Sequence, residues 1–106
     1  MSGVQVAEFV KVATMSEIPD GCGRTVKIRG RKIAIFNSGG RFYAIDDACQ
    51  HRGGPLGQGE VYGTRVVCPW HGWEYDFAAG CNVDDPEMKL VCFAVRVNGN
   101  DVFVEL

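Results

Sequence analysis

Apolar residues in this chain come in short alternating runs, and glycine-rich turns interrupt them roughly every 8–12 residues. A period of two suits a half-buried strand, and no segment sustains the 3.6-residue period of a long amphipathic helix. Repeated at that spacing, such runs predict an all-β sandwich or barrel. Strands are expected near Glu8–Ala13, Thr25–Arg29, Lys32–Asn37, Arg41–Asp46, Arg65–Cys68, Glu74–Asp76, Leu90–Val97 and Asp101–Glu105. Hairpin turns are expected at Gly30-Arg31, Ser38-Gly39-Gly40 and Asn98-Gly99-Asn100, where a positive φ is tolerated. Ser16–Asp20 can make one helical turn, which Pro19 stops. At 106 residues the expectation is a single domain spanning residues 1–106.

Composition removes several function classes. A chain with 46% hydrophobic and 23% charged residues is not disordered. A net charge of −2 without a basic cluster argues against nucleic acid as a partner, since that needs a concentrated positive face. No apolar run is long enough to span a bilayer, so a membrane is not an expected partner either. The first residues lack a basic segment followed by an apolar stretch, so no signal peptide is read and a cytoplasmic location is expected. Cysteines there are usually reduced, and five of them is an odd number for a disulfide framework.

The 14 glycines, roughly twice the usual share, are partly concentrated in one place. Cys49 to Gly59 reads Cys-Gln-His-Arg-Gly-Gly-Pro-Leu-Gly-Gln-Gly, which cannot be a strand and marks a structured loop. A second loop follows at Cys68-Pro69-Trp70-His71-Gly72-Trp73. Each loop presents one cysteine and one histidine, as Cys49-x-His51 and Cys68-x-x-His71, and these are the only two histidines of the chain. Two thiolates and two imidazoles make a metal centre. Tetrahedral zinc accepts such a set, but its usual fingers put the cysteines on one knuckle and the histidines on a helix. The interleaved order suits a two-iron two-sulfide cluster better, each prong sending its cysteine to one iron and its histidine to the other.

The chain resembles Rieske-type [2Fe-2S] ferredoxins over essentially its whole length. The resemblance rests on Cys49-Gln50-His51, Gly53-Gly54-Pro55-Leu56, Gly59, Cys68-Pro69-Trp70-His71-Gly72-Trp73-Glu74-Tyr75-Asp76, and Gly80. It implies a Rieske-like antiparallel β-sandwich or barrel with two cluster-binding loops at one tip. It also implies one Rieske-type cluster, with Cys49 and Cys68 on one iron and His51 and His71 on the other. Two neutral imidazoles in place of two thiolates leave the oxidised cluster formally neutral rather than doubly negative. An added electron then meets less repulsion, which raises the potential above that of all-cysteine ferredoxins. High-potential members carry a disulfide between the loops and a serine hydroxyl bonded to the cluster. Here those positions hold Gly54 and Trp70, and Trp73, so a low-potential cluster is expected, with Tyr75 left as a phenol donor.

The resemblance implies a one-electron carrier without catalytic residues, monomeric in solution, loaded by a reductase and discharged by an oxygenase terminal component such as a ring-hydroxylating dioxygenase. The alternative is a Rieske-like small subunit fixed in a larger reductase such as assimilatory nitrite reductase. An oxygenase in its own right needs a second iron held by two further histidines, and both histidines are already committed. Of the other cysteines, Cys92 in Leu90-Val91-Cys92-Phe93 reads as a small buried hydrophobe, and Cys22 and Cys81 occupy glycine-rich turns. Asn82–Glu87 reads either as a third loop beside the cluster or as a solvated acidic loop. Trp70 reads either as exposed at the tip or as packed beneath the loops.

Overall fold

The computed structural model describes residues 8–50 and 53–106. Eleven strands lie among them: β1 (Phe9–Thr14), β2 (Cys22–Ile28), β3 (Arg31–Ser38), β4 (Arg41–Asp46), β5 (Glu60–Tyr62), β6 (Arg65–Val67), β7 (Glu74–Asp76), β8 (Cys81–Asn82), β9 (Cys92–Phe93), β10 (Val95–Asn98) and β11 (Asp101–Glu105). All pairings between them are antiparallel, as expected for an all-β chain. The helical segments described are the single 3-10 turns Met15–Glu17 and Leu56–Gln58. No described helix is long and apolar enough to cross a membrane.

Strand β3 explains the layering. Its residues Ile33, Ala34, Ile35, Phe36 and Asn37 are buried in succession, which a strand achieves only when both its faces are covered. Ala34 and Phe36 face one core together with Ile45, Leu56, Val66, Tyr75 and Phe77. Ile33 and Ile35 face the other together with Ala13, Ile18, Phe42, Ala44, Val102 and Val104. The sheet β2-β3-β4-β9 is therefore the middle layer, between the sheet β1-β11-β10 on one side and β5-β6-β7-β8 on the other. Phe36 stacks on Phe77 at 4.4 Å between ring centroids, joining the middle layer to the β5–β8 sheet.

Three details differ from the sequence expectations. The β2–β3 turn is centred one residue earlier than Gly30-Arg31. Ile28 pairs with Arg31, and Arg29 and Gly30 take φ 51° and 79°, the two positive values that a type I′ turn requires. The run Leu90–Val97 is two strands in two sheets, since β9 pairs with β4 and β10 with β11, with the break at Ala94. Strands β5 and β8 were not expected. They hold three and two residues, too few to show a periodicity.

Candidate metal centre

The first prong leaves the middle sheet after β4, and Asp47 fixes its base. Asp47 is 3% exposed, and its Oδ1 accepts the Thr25 hydroxyl at 2.7 Å and the Gly57 N–H at 2.8 Å. Its carbonyl accepts the Leu56 N–H at 2.8 Å. A buried carboxylate persists only where its lone pairs are occupied, so one side chain here joins both ends of the loop to β2. Gly57 has to be glycine because a Cβ there would come within 2.7 Å of the Thr25 backbone nitrogen. Farther out, the Cys49 N–H donates to the Gly54 carbonyl at 2.9 Å, and the Gly53 N–H donates to the Cys49 carbonyl at 2.7 Å. The Gln50 amide reaches the Lys89 carbonyl at 2.6 Å. His51 lies outside the described residues.

The second prong closes on its own backbone between β6 and β7. The Cys68 N–H donates to the Trp73 carbonyl at 2.7 Å and the Gly72 N–H to the Cys68 carbonyl at 3.0 Å, with Gly72 at φ 76°. Trp70 and His71 are exposed at its end, Trp70 by 56%, so Trp70 takes the surface position of its two readings. Trp73 turns inward against the core that holds Cys49 and Cys68.

The two prongs bring two thiols together in that core. Cys49 and Cys68 are 3% and 2% exposed. Burial pushes the Cys68 thiol above its ordinary value and the neighbouring Cys49 thiol adds to this, while N–H groups of Trp70 and His71 directed at the sulfur pull the other way. The Tyr75 hydroxyl lies 3.4 Å from Cys49 Sγ and accepts the Gln50 N–H at 3.2 Å. Burial first, then the Cys49 sulfur, hold that phenol well above its usual pKa, so it stays protonated and can donate to the sulfur. Adjacent buried sulfurs become thiolates only with a cation between or beside them, and the N–H and O–H donors around them then support that charge. The donor set therefore fits an iron–sulfur centre.

Beside the second prong runs the segment after β8, and its acidic residues Asp84, Asp85 and Glu87 are exposed to solvent. The Val83 N–H donates to the Glu74 carbonyl at 2.9 Å, and Asn82 Oδ1 accepts the Asp84 and Asp85 N–H groups at 2.8 and 3.1 Å. A shallow cleft of about 360 Å³ between loop and prong is lined by Trp73, Asn82, Asp84, Asp85 and Met88. Cys92 is exposed rather than buried, because it sits on β9 at the edge of the middle sheet. Cys22 is exposed and Cys81 half-buried. Asp47, Gln50 and Asn82 were not among the expected site residues. Their partners are distant in sequence or are backbone groups, and the one available signal was an aspartate immediately before a glycine-rich loop.

Comparison with known proteins agrees with this geometry. The family described as the Rieske [2Fe-2S] domain matches residues 8–94. Ferredoxin CarAc of Metapseudomonas resinovorans is 30% identical over 98 residues, covering 91% of this chain and 92% of the relative. The ferredoxin component of the naphthalene 1,2-dioxygenase system of Pseudomonas aeruginosa is 25% identical over 100 residues, covering 93% and 96%. A chain in the solved complex of reduced oxygenase and oxidised ferredoxin in carbazole 1,9a-dioxygenase superposes with a TM-score of 0.83 at 30% identity, covering 92% of each chain.

Proposed function

The chain belongs to the Rieske [2Fe-2S] domain family, and from that premise we propose that it is a cytoplasmic, monomeric one-electron carrier that takes electrons from a reductase and delivers them to an oxygenase component. One Rieske-type cluster comes with the family. The observation that carries the reading is the convergence of two buried thiols, Cys49 and Cys68, from two prongs whose second tip exposes His71. In this reading the whole chain is one iron–sulfur domain, with Cys49 and Cys68 holding one iron and His51 and His71 the other. When bound, the cluster supplies a site that accepts and releases a single electron.

The chain's own residues do the rest. The core around Cys49, Cys68 and Tyr75 keeps water from the sulfurs. Tyr75 donates to Cys49, and the backbone of Trp70 and His71 to Cys68, so each sulfur is held by donors that favour added negative charge. In this reading the potential lies near the lower end of the Rieske range, roughly −150 mV, since Gly54, Trp70 and Trp73 stand where high-potential members carry the disulfide and the serine. The exposed ring of His71 is where a partner comes closest, in an encounter of the small, short-lived kind usual for electron transfer. The protein is an electron-transfer component and carries out no substrate chemistry. That role matches what CarAc and the naphthalene system's ferredoxin are named for.

A reductive titration followed by EPR tests the reading. The expected result is one electron per chain with a Rieske-type spectrum, and reoxidation when an oxygenase component is added. A silent sample carrying zinc, or a midpoint above about +100 mV, contradicts it. Purification at fixed stoichiometry with a large reductase subunit would instead select the small-subunit alternative.

A further inference from the structure

Trp70 does two things that are unusual together: it exposes more than half its surface, at 56%, yet one edge of its indole lies on the backbone of the other prong. A Cβ built on Gly54 would come within 3.1 Å of Trp70 Cγ and Cδ2 and within 2.8 Å of Cys68 Sγ. The indole and the sulfur thus rest against the same face of Gly54, and Gly54 is buried because they do. Its carbonyl is the acceptor of the Cys49 N–H at 2.9 Å, so the ring presses on the turn that positions Cys49. The Cys49 and Cys68 thiols also meet across the prongs, but they are the groups a metal would recruit, whereas the indole is not.

We propose that Trp70 is a positioning residue: its indole, seated on Gly54, clasps the first prong to the second and covers the Cys68 sulfur, so that the two cysteines stay in register independently of the metal. The clasp acts on the opening of the prongs rather than on global folding, because Trp70 stands outside both cores. Local opening of this kind sets how often a buried ligand meets solvent and how fast neighbouring amides exchange. A flat ring on a glycine needs no hydrogen bond, so phenylalanine should replace tryptophan and alanine should not.

This inference rests on the proposed role of Cys49 and Cys68 as ligands, and the test separates the two. Wild-type, Trp70→Phe and Trp70→Ala holoproteins are mixed with excess EDTA under reducing conditions, and cluster bleaching and amide exchange at Cys49 and Gly53 are followed. A wild-type protein without a Rieske spectrum refutes the ligand reading itself. With the spectrum present, Trp70→Ala is expected to bleach about tenfold faster, in line with a lost aromatic contact. Its Cys49 and Gly53 amides should exchange faster by a similar factor, and Trp70→Phe should stay within about threefold of wild type. The midpoint of thermal unfolding should barely move. Equal bleaching and exchange in wild type and Trp70→Ala overturn the proposal. So does a Trp70→Phe protein that behaves like Trp70→Ala, or failure of both variants to take up the cluster. If only Trp70→Ala fails to take it up, the clasp is supported.

Discussion

The first prong is a long glycine-rich excursion that, beyond its own backbone hydrogen bonds, is held from outside, by Asp47 at its base, Tyr75 beneath it and the Lys89 carbonyl at its flank. The second is a short turn held from inside, by two backbone hydrogen bonds between the ends of β6 and β7. The two differ in what can go wrong. Side-chain substitutions far along the chain can release the first prong, whereas the hydrogen bonds that close the second come from its own backbone. Both deliver one cysteine to one core, so the centre depends on two independent ways of fixing a loop.

The strongest test removes one sulfur from either prong. Cys49→Ala and Cys68→Ala should each abolish the visible absorption and EPR signal of the cluster while circular dichroism keeps its β character. Retention of a full signal in either variant would remove that cysteine from the ligand set and with it the symmetry between the prongs.

The next effect belongs to the first prong alone. Asp47→Ala strips the acceptor from the Thr25 hydroxyl and the Gly57 N–H, leaving buried donors unpaired. A loss of roughly 2–4 kcal/mol is expected from breaking hydrogen bonds to a buried charged group. For a chain of this size that lowers the thermal midpoint by about 10–20 °C. Asp47→Asn, which keeps one oxygen acceptor, should lose less. If Asp47→Ala unfolds at the wild-type temperature in a thermal melt, the first prong is not held from outside.

Why the sequence suggests Cys49, His51, Cys68 and His71 as candidates but not Asp47 is a matter of sequence distance. Each Cys–His pair lies within four residues, so its meaning is visible locally, and residues 49–59 announce a loop by their glycines. Asp47 acts on Thr25, across 22 positions, and nothing in Thr25 or Asp47 alone marks the pair. The same holds for Cys92. Its apolar neighbours predict burial, but the chain leaves the middle sheet at Ala94 and keeps β9 at an edge, a choice made by tertiary pairing. Ile33 to Phe36 are likewise buried on both faces of their strand, whereas the alternating pattern predicts half-buried strands.

A smaller effect separates the sulfurs. Tyr75→Phe removes a side-chain hydroxyl aimed at Cys49, whereas Cys68 is approached by backbone N–H groups that truncating a side chain does not delete. Losing a donor worth about 1 kcal/mol disfavours the reduced state, lowering the midpoint potential by roughly 40 mV for one electron. An unchanged potential in an otherwise intact Tyr75→Phe protein would show that the hydroxyl serves the Gln50 N–H only.

The smallest effect is a matched pair. Gly53 in the first prong and Gly72 in the second take φ 74° and 76°, and a Cβ on either meets nothing within 4 Å. Alanine at each therefore costs only the left-handed backbone conformation, about 1–2 kcal/mol. Because the geometry is the same, the cost should be the same, measured as the difference in unfolding free energy between the two variants by denaturant titration. Agreement would mean that the turns themselves are equivalent and that the prongs differ solely in their tethers. A Gly72→Ala penalty exceeding that of Gly53→Ala by more than about 1 kcal/mol would instead mean that the longer prong relieves strain by shifting. In that case Asp47 anchors a loop that can still move, and the rigid reference for the centre is the second prong.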